Sequence, residues 1–173
     1  MLPRPNPATW RKDVHHFSPG LDAETAKDWC CPGCDRSKFE TVQWYDRDMV
    51  EWFDRSQARK MGFPGGFRLS LVRHHDHAAS KSRIIDGRFP VTIICSDCNS
   101  VDGKIKNVFP DLKKRAWSFS PQEIRRVILP RPHRPHRINY ELGCSIAERI
   151  LFEQWRDVAP RSRRNRVLWN NHG

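Results

Sequence analysis

Two Cys-x-x-Cys pairs, Cys31 with Cys34 and Cys95 with Cys98, constrain this chain more than any other feature of it. The first sits in the turn Cys30-Cys31-Pro32-Gly33-Cys34, and the second follows the β-branched run Val91-Thr92-Ile93-Ile94. Such a turn presents two sulfurs to one point, and four thiolates satisfy a tetrahedral Zn²⁺. One pair is a weak signal, but two in turn contexts point to a structural zinc site. No run approaches the ~18 consecutive apolar residues of a membrane span. The stretch Met1-Leu2-Pro3-Arg4-Pro5-Asn6-Pro7 lacks the apolar core of a signal peptide. A soluble, cytoplasmic protein is therefore expected, in a compartment where thiols stay reduced and spaced cysteines hold metal rather than form disulfides. Cys30 is a poorer ligand than Cys31, whose spacing to Cys34 is right, and Cys144 lies in a helical segment where a buried thiol is expected.

The zinc site has structural weight because core material is scarce. Of 173 residues only 38% are hydrophobic, below the usual share for a globular domain. A small core stapled by metal fits this composition better than one large core. Lys and Arg number 31 against 20 for Asp and Glu, a formal net charge of +11. That balance suits a polyanionic partner, because each phosphate contact releases counterions. Charge alone does not separate nucleic acid from an acidic protein.

The expected fold class is α+β: a small ββα core with a four-cysteine zinc site, flanked by helical extensions. Residues 1–62 are expected to form a helical arm carrying the first Cys pair, 63–115 the ββα core, and 116–173 a basic helical extension. Within these, short helical patterning covers 21–29, and an amphipathic pattern over 44–61 ends at Gly62-Phe63-Pro64-Gly65-Gly66. Residues 67–73 and 91–94 read as strands joined by a polar loop, with a helix from 97–100 towards Val108. Ser120-Pro121-Gln122-Glu123 is a capped helix start, and that helix should run to Leu129. The Pro/His/Arg-rich 130–137 should be extended. Leu142, Ile146, Ile150 and Leu151 mark a helix over 138–158, and Arg161, Arg163, Arg164 and Arg166 cluster beyond it. Most of the seven tryptophans are expected in the core, and His15-His16 on the surface.

His74-His75-Asp76-His77 ends the first expected strand, and Asn99 follows Cys98 at the start of the expected helix. A hairpin followed by a helix brings these places together. Phosphodiester hydrolysis needs a nucleophilic water, a base and a cation. Imidazole is the side chain best suited to be that base near neutral pH. One imidazole and one amide oxygen suit a loosely held divalent ion such as Mg²⁺ or Mn²⁺. Alternation along a strand turns His74 and Asp76 one way and His75 and His77 the other. A His-rich stretch alone can equally be a solvated loop; the adjoining CxxC-Asn pattern favours chemistry.

The order strand, His74-His75-Asp76-His77, loop, strand, Cys95-x-x-Cys98-Asn99, helix resembles the HNH (ββα-metal) endonuclease superfamily. More narrowly it is similar to the phage recombination endonuclease VII group, whose pattern runs Asp-His-x-His and then CxxC-Asn. The resemblance covers about residues 31–108 and is tightest over 71–107. It implies that His75 is the general base and that His74 and Asn99 are ligands of the catalytic cation. It implies that His77 positions phosphate or metal, and that Cys31, Cys34, Cys95 and Cys98 hold the structural zinc. It further implies a bacterial cell or a phage-infected host. Two departures matter. No Asn stands in the loop before the second strand to brace the hairpin, and His74 replaces a metal-binding Asp, removing a negative charge.

Lys81, Arg83 and Arg88 in the hairpin loop, Lys104 and Lys106 on the helix, and Arg131, Arg134 and Arg137 further out are the expected phosphate contacts. The function that follows is an endonuclease hydrolysing duplex or branched DNA. One rival is a zinc-stabilised nucleic-acid-binding module whose histidines do no chemistry. Another is a subunit of a larger phage or defence complex, active only with its partner. A homodimer is attractive because a double-strand break needs two active sites.

Overall fold

A computed structural model describes residues 3–16, 18–45, 66–78, 87–113 and 116–167. Helices and strands are mixed along the chain. The N-terminal part holds α1 (Trp10–Asp13), β1 (Val14–His16) and α2 (Pro19–Glu24). The helix α2 begins and ends earlier than the 21–29 expected. The Thr25 hydroxyl bonds back to the carbonyls of Leu21 and Asp22, and the Lys38 ammonium donates to those of Asp22 and Thr25 at 2.9 and 3.0 Å. The last carbonyls of the helix are thus satisfied partly from a distant residue. His15 and His16 are half-buried in β1 rather than on the surface.

After the first cysteine turn come α3 (Lys38–Thr41), opened by a Ser37–Glu40 capping box, and β2 (Gln43–Tyr45). Trp44, expected to begin a helix, is instead in this strand, packed edge-on against its cross-strand partner Phe67 at 5.1 Å. Aromatic pairing across a sheet outweighs helical spacing here. The remainder of the helix expected over 44–61 lies outside the described residues. The strand β3 (Gly66–Leu69) is central in a three-stranded sheet, parallel to β1 and antiparallel to β2.

The single strand expected over 67–73 is divided at Ser70. Beyond it, β4 (Leu71–His74) leaves that sheet and pairs antiparallel with β5 (Thr92–Cys95), Leu71 opposite Cys95 and His74 opposite Thr92. Alternation reveals which face of a strand is apolar but not which strand it pairs with. Leu69 and Leu71, on either side of the break, are both buried against Trp10, Val14 and Val42.

The helix α4 (Ser96–Val108) follows β5 without a linker, completing a β-hairpin and helix. Then come α5 (Pro110–Lys113), an extended stretch over 116–120, α6 (Pro121–Val127), the short hairpin β6 (Ile128–Leu129) and β7 (Arg137–Ile138), and α7 (Tyr140–Val167). The Ser120–Glu123 capping box forms as its spacing requires. The helix stops at Val127 rather than Leu129 because Ile128 and Leu129 pair with Ile138 and Arg137. Asn139 caps α7, its side-chain oxygen accepting from the Leu142 amide at 3.0 Å.

The main core gathers Ile94, Val101, Ile105, Trp117, Phe119, Ile124, Val127, Ile146 and Ile150 around the four cysteines. The core residues between Trp117 and Leu151 therefore form a wall of the central unit. Gly143 allows this approach: a Cβ there would lie 2.6 Å from Ile105 Cδ1.

Candidate metal centre and histidine pocket

Cys31, Cys34, Cys95 and Cys98 are all buried, and their sulfurs lie within 4.8 Å of one another. Cys31 Sγ is 3.7 Å from Cys98 Sγ, and Cys34 Sγ is 3.8 Å from Cys95 Sγ. Ligands at about 2.3 Å from a tetrahedral Zn²⁺ stand ~3.8 Å apart, so the cluster has the dimensions of a zinc site and could hold that ion. The first pair owes its shape to a tight turn. The amides of Cys34 and Asp35 both donate to the Cys31 carbonyl, and Asp35 takes a left-handed φ of 64°. Gly33 is required by proximity: a Cβ there would come 3.0 Å from Cys98 Sγ.

Four thiols this close cannot all ionise without a cation. Hydrogen bonds from Cys31 and Cys95 drive Cys34 far below an ordinary thiol, and Cys98 is driven far above by Cys31 and Cys34. The surroundings are built for sulfur anions. Arg36 is buried, and its five donors find five acceptors. These are Cys34 Sγ at 3.3 Å, Cys95 Sγ at 3.4 Å, Asp97 Oδ2 at 2.7 Å, and the carbonyls of Arg131 and Arg134. Burial alone would lower the Arg36 pKa, but the charges that Cys95 and Asp97 can carry outweigh it and raise it. His136 adds a further contact, Nε2 lying 3.3 Å from Cys98 Sγ. Cys95, Asp97 and His136 also converge, but Arg36 Nη2 already lies among them, 3.4 Å from His136 Nε2. That point is held by a guanidinium rather than open to a second ion. Neither Arg36 nor His136 stood out in the sequence. The one available signal was a cationic residue two positions after Cys34.

The hairpin and helix bring His74 and Asn99 together. His74 is buried, its Nε2 2.6 Å from the Phe119 carbonyl and its Nδ1 3.0 Å from Asn99 Oδ1. A carbonyl accepts only, so Nε2 carries the proton and Nδ1 is the basic nitrogen of the neutral ring. Two acceptors at that distance repel unless a proton or cation lies between them, or unless the amide is turned over to donate. About 3.0 Å is also the separation of adjacent ligands on an octahedral ion bound at ~2.1 Å. The two atoms could hold a divalent cation. The His74 ring is stacked on Phe89 at 5.2 Å.

His74 and Asp76 are buried and His75 and His77 exposed, but the strand ends at His74, so the expected strand alternation does not extend through 77 and His74 and His77 come to share one pocket. An open pocket of about 410 Å³ is lined by His74, His77, Asn99, Lys104, Asn107 and Ser118, among others. His75, the expected base, is not one of the described residues lining this pocket; its ring lies 5.1 Å from that of His77, which is. Burial, and then the charge of Lys106, hold the His77 pKa below the ordinary imidazole value.

The stretch over 116–120 clamps the pocket from behind. Asp76 accepts from the amides of Ala78, Ser118 and Arg88, each at 3.1 Å. It therefore ties the far end of the hairpin loop to the strand, the bracing task for which the sequence offered no Asn. Asp102 accepts from the Phe119 amide at 3.1 Å, and the carbonyl of the same residue receives His74. Asp102 is held in turn by Lys106, 2.6 Å away, whose ammonium also donates to the Trp117 carbonyl. Lys106 is thus an internal strut, not the phosphate contact expected of it. Arg88 is likewise bound to the Ser118 carbonyl and to Glu123. Arg131 folds onto the Pro135 carbonyl. Lys104, Arg134 and Arg137 are exposed, while Lys81 and Arg83 lie outside the described residues. Cys144 is half-buried against the core, and its thiol reaches Glu148 rather than the sulfur cluster.

Two stability effects follow. Asp76→Ala leaves three amides without their acceptor, and should lower stability by about 2–5 kcal/mol, read as a fall in the urea midpoint at constant slope. Asp102→Asn strands the buried Lys106 ammonium, at a cost of about 3–5 kcal/mol. Lys106→Met added to it should recover most of that loss, whereas additive effects in the double variant would show the pair to be uncoupled.

No helix among the described residues is long and apolar enough to cross a membrane. Comparison of the chain with family models, with curated proteins and with solved structures finds no match.

Proposed function

We propose that this protein is a metal-dependent DNA endonuclease of the HNH type. The observation that carries the reading is the convergence of His74 Nδ1 and Asn99 Oδ1, 3.0 Å apart, at an open pocket beside a second imidazole and an exposed lysine. A structural zinc module has no need of a basic nitrogen and an amide oxygen aimed at one point. A divalent cation held by these two atoms would supply charge stabilisation to a phosphate undergoing hydrolysis.

The protein's own part is positional. The Phe119 carbonyl holds the His74 ring in the tautomer that leaves Nδ1 free. Asn99, at the first turn of α4, follows directly on Cys98 of the four-cysteine cluster and meets His74. His75 takes a proton from the attacking water, the role its place in the resemblance implies, and His77 lies beside it on the pocket wall. Lys104 is placed to meet a phosphate oxygen. Because His74 is a neutral ligand where the related group has a carboxylate, the site should favour Mn²⁺ over Mg²⁺, imidazole suiting transition metals better. The test is nicking of supercoiled plasmid with each metal. If the wild type binds DNA, never nicks it with either metal or an added partner, and behaves like its His75→Ala variant, the protein is a binding module instead.

A further inference from the structure

A second cleft, of about 510 Å³, lies between the N-terminal arm and the loop joining β6 to β7, and shares no lining residue with the histidine pocket. The loop is held more firmly than a hairpin connection needs. Arg36 binds the carbonyls of Arg131 and Arg134, and Arg131 binds that of Pro135. The His133 amide donates to the Glu40 carbonyl at 2.8 Å, and Nδ1 lies 3.0 Å from the Val42 carbonyl. All this keeps His133 at a φ of 59°, one of two non-glycine residues with positive φ among those described. Strain of that kind persists where the surroundings over-determine it, commonly at binding sites.

What the loop presents is a mixed surface. Arg134 is exposed on the loop and Arg4 on the arm, and among the described residues no carboxylate lines the cleft. Between these charges in composition stand an aromatic pair, Phe39 and His133, in edge contact at 4.7 Å, and proline rings from both segments. Since Nδ1 donates to Val42, Nε2 is the ring's remaining polar atom. Flat rings and prolines receive the face of a base, and guanidinium groups receive phosphate. A paired base is hidden in its stack, so only an unpaired nucleotide can offer both at once.

We propose that this cleft binds an unpaired nucleotide, base against Phe39 and His133 and phosphate on Arg4 and Arg134, and so directs the protein to DNA carrying a single-stranded segment. The inference rests on the proposed function only in taking nucleic acid as the partner. Its test is fluorescence anisotropy of the full chain without added divalent cation, using a blunt duplex, a flapped duplex and a single strand. The wild type should bind the flapped duplex about tenfold more tightly than the blunt one. The double variant Arg4→Ala/Arg134→Ala, whose changed side chains are exposed, should lose that preference and keep its blunt-duplex affinity. On the single strand its salt slope should fall by about 0.7, the contribution of one phosphate contact. Equal losses on all three DNAs mean diffuse charge and overturn the proposal. So does an unchanged flap preference, or displacement of the flapped duplex by a poly-glutamate peptide as potent as the single strand. Binding is read without cleavage, so a flap preference lost in the variant stands even if nicking is never seen. Nicking without any flap preference ends this inference and spares the other.

Discussion

Stripping the metal from the four-cysteine centre is expected to unfold the central unit rather than loosen one turn. Structural Zn²⁺ contributes about 10–16 kcal/mol to small zinc domains. A typical domain is stable by only about 5–15 kcal/mol in total, so the loss exceeds what remains. The sulfurs sit inside the main apolar cluster, and the metal-free form must also leave the Arg36 guanidinium buried with its counter-charges diminished. A zinc-strength chelator should abolish the cooperative melting transition, and Cys98→Ser should do the same. Metal analysis of the untreated protein should find one ion per chain. Withdrawing Mg²⁺ or Mn²⁺ alone should stop nicking and leave the melting curve in place. If zinc is shown to be gone and the melting temperature has not moved, the staple is not there.

Removing both His75 and His77 imidazoles should lower the nicking rate by about 10²–10⁴-fold, the usual contribution of general acid–base catalysis. Both residues are exposed, so the alanine variant should melt within a few degrees of the wild type. The single variants then divide the roles. His75→Ala is expected to carry most of the loss, with His77→Ala acting chiefly on affinity for the phosphate. If His77→Ala carries it, the base is the ring on the pocket wall, whose depressed pKa keeps it unprotonated at neutral pH. A double variant that nicks at the wild-type rate removes the proposed chemistry altogether.

Much of the centre was legible because its signals are local. The cysteine turns and the Ser120–Glu123 box each depend on residues a few positions apart, and each appears as its spacing requires. The approach of His74 to Asn99 was legible one step removed, because a hairpin followed at once by a helix allows few other arrangements. The switch of sheets at Ser70 and the strand at Trp44 were not legible, because propensity and periodicity describe a segment and not its neighbour. Lys106 looked like any surface lysine until Asp102 and the Trp117 carbonyl enclosed it.

From its residues alone, then, this chain declared four sulfurs that could hold one ion and an imidazole-rich strand end beside an amide. Side-chain chemistry is written in the letters, and short-range spacing preserves it through folding. Tertiary structure decided what stands behind those groups: the guanidinium of Arg36 against the sulfurs, the carbonyl of Phe119 that sets the His74 tautomer, and the carboxylate of Asp76 that closes the loop. Two of these contacts run to main-chain atoms, which every residue possesses alike, so no pattern of residue types could have pointed to them.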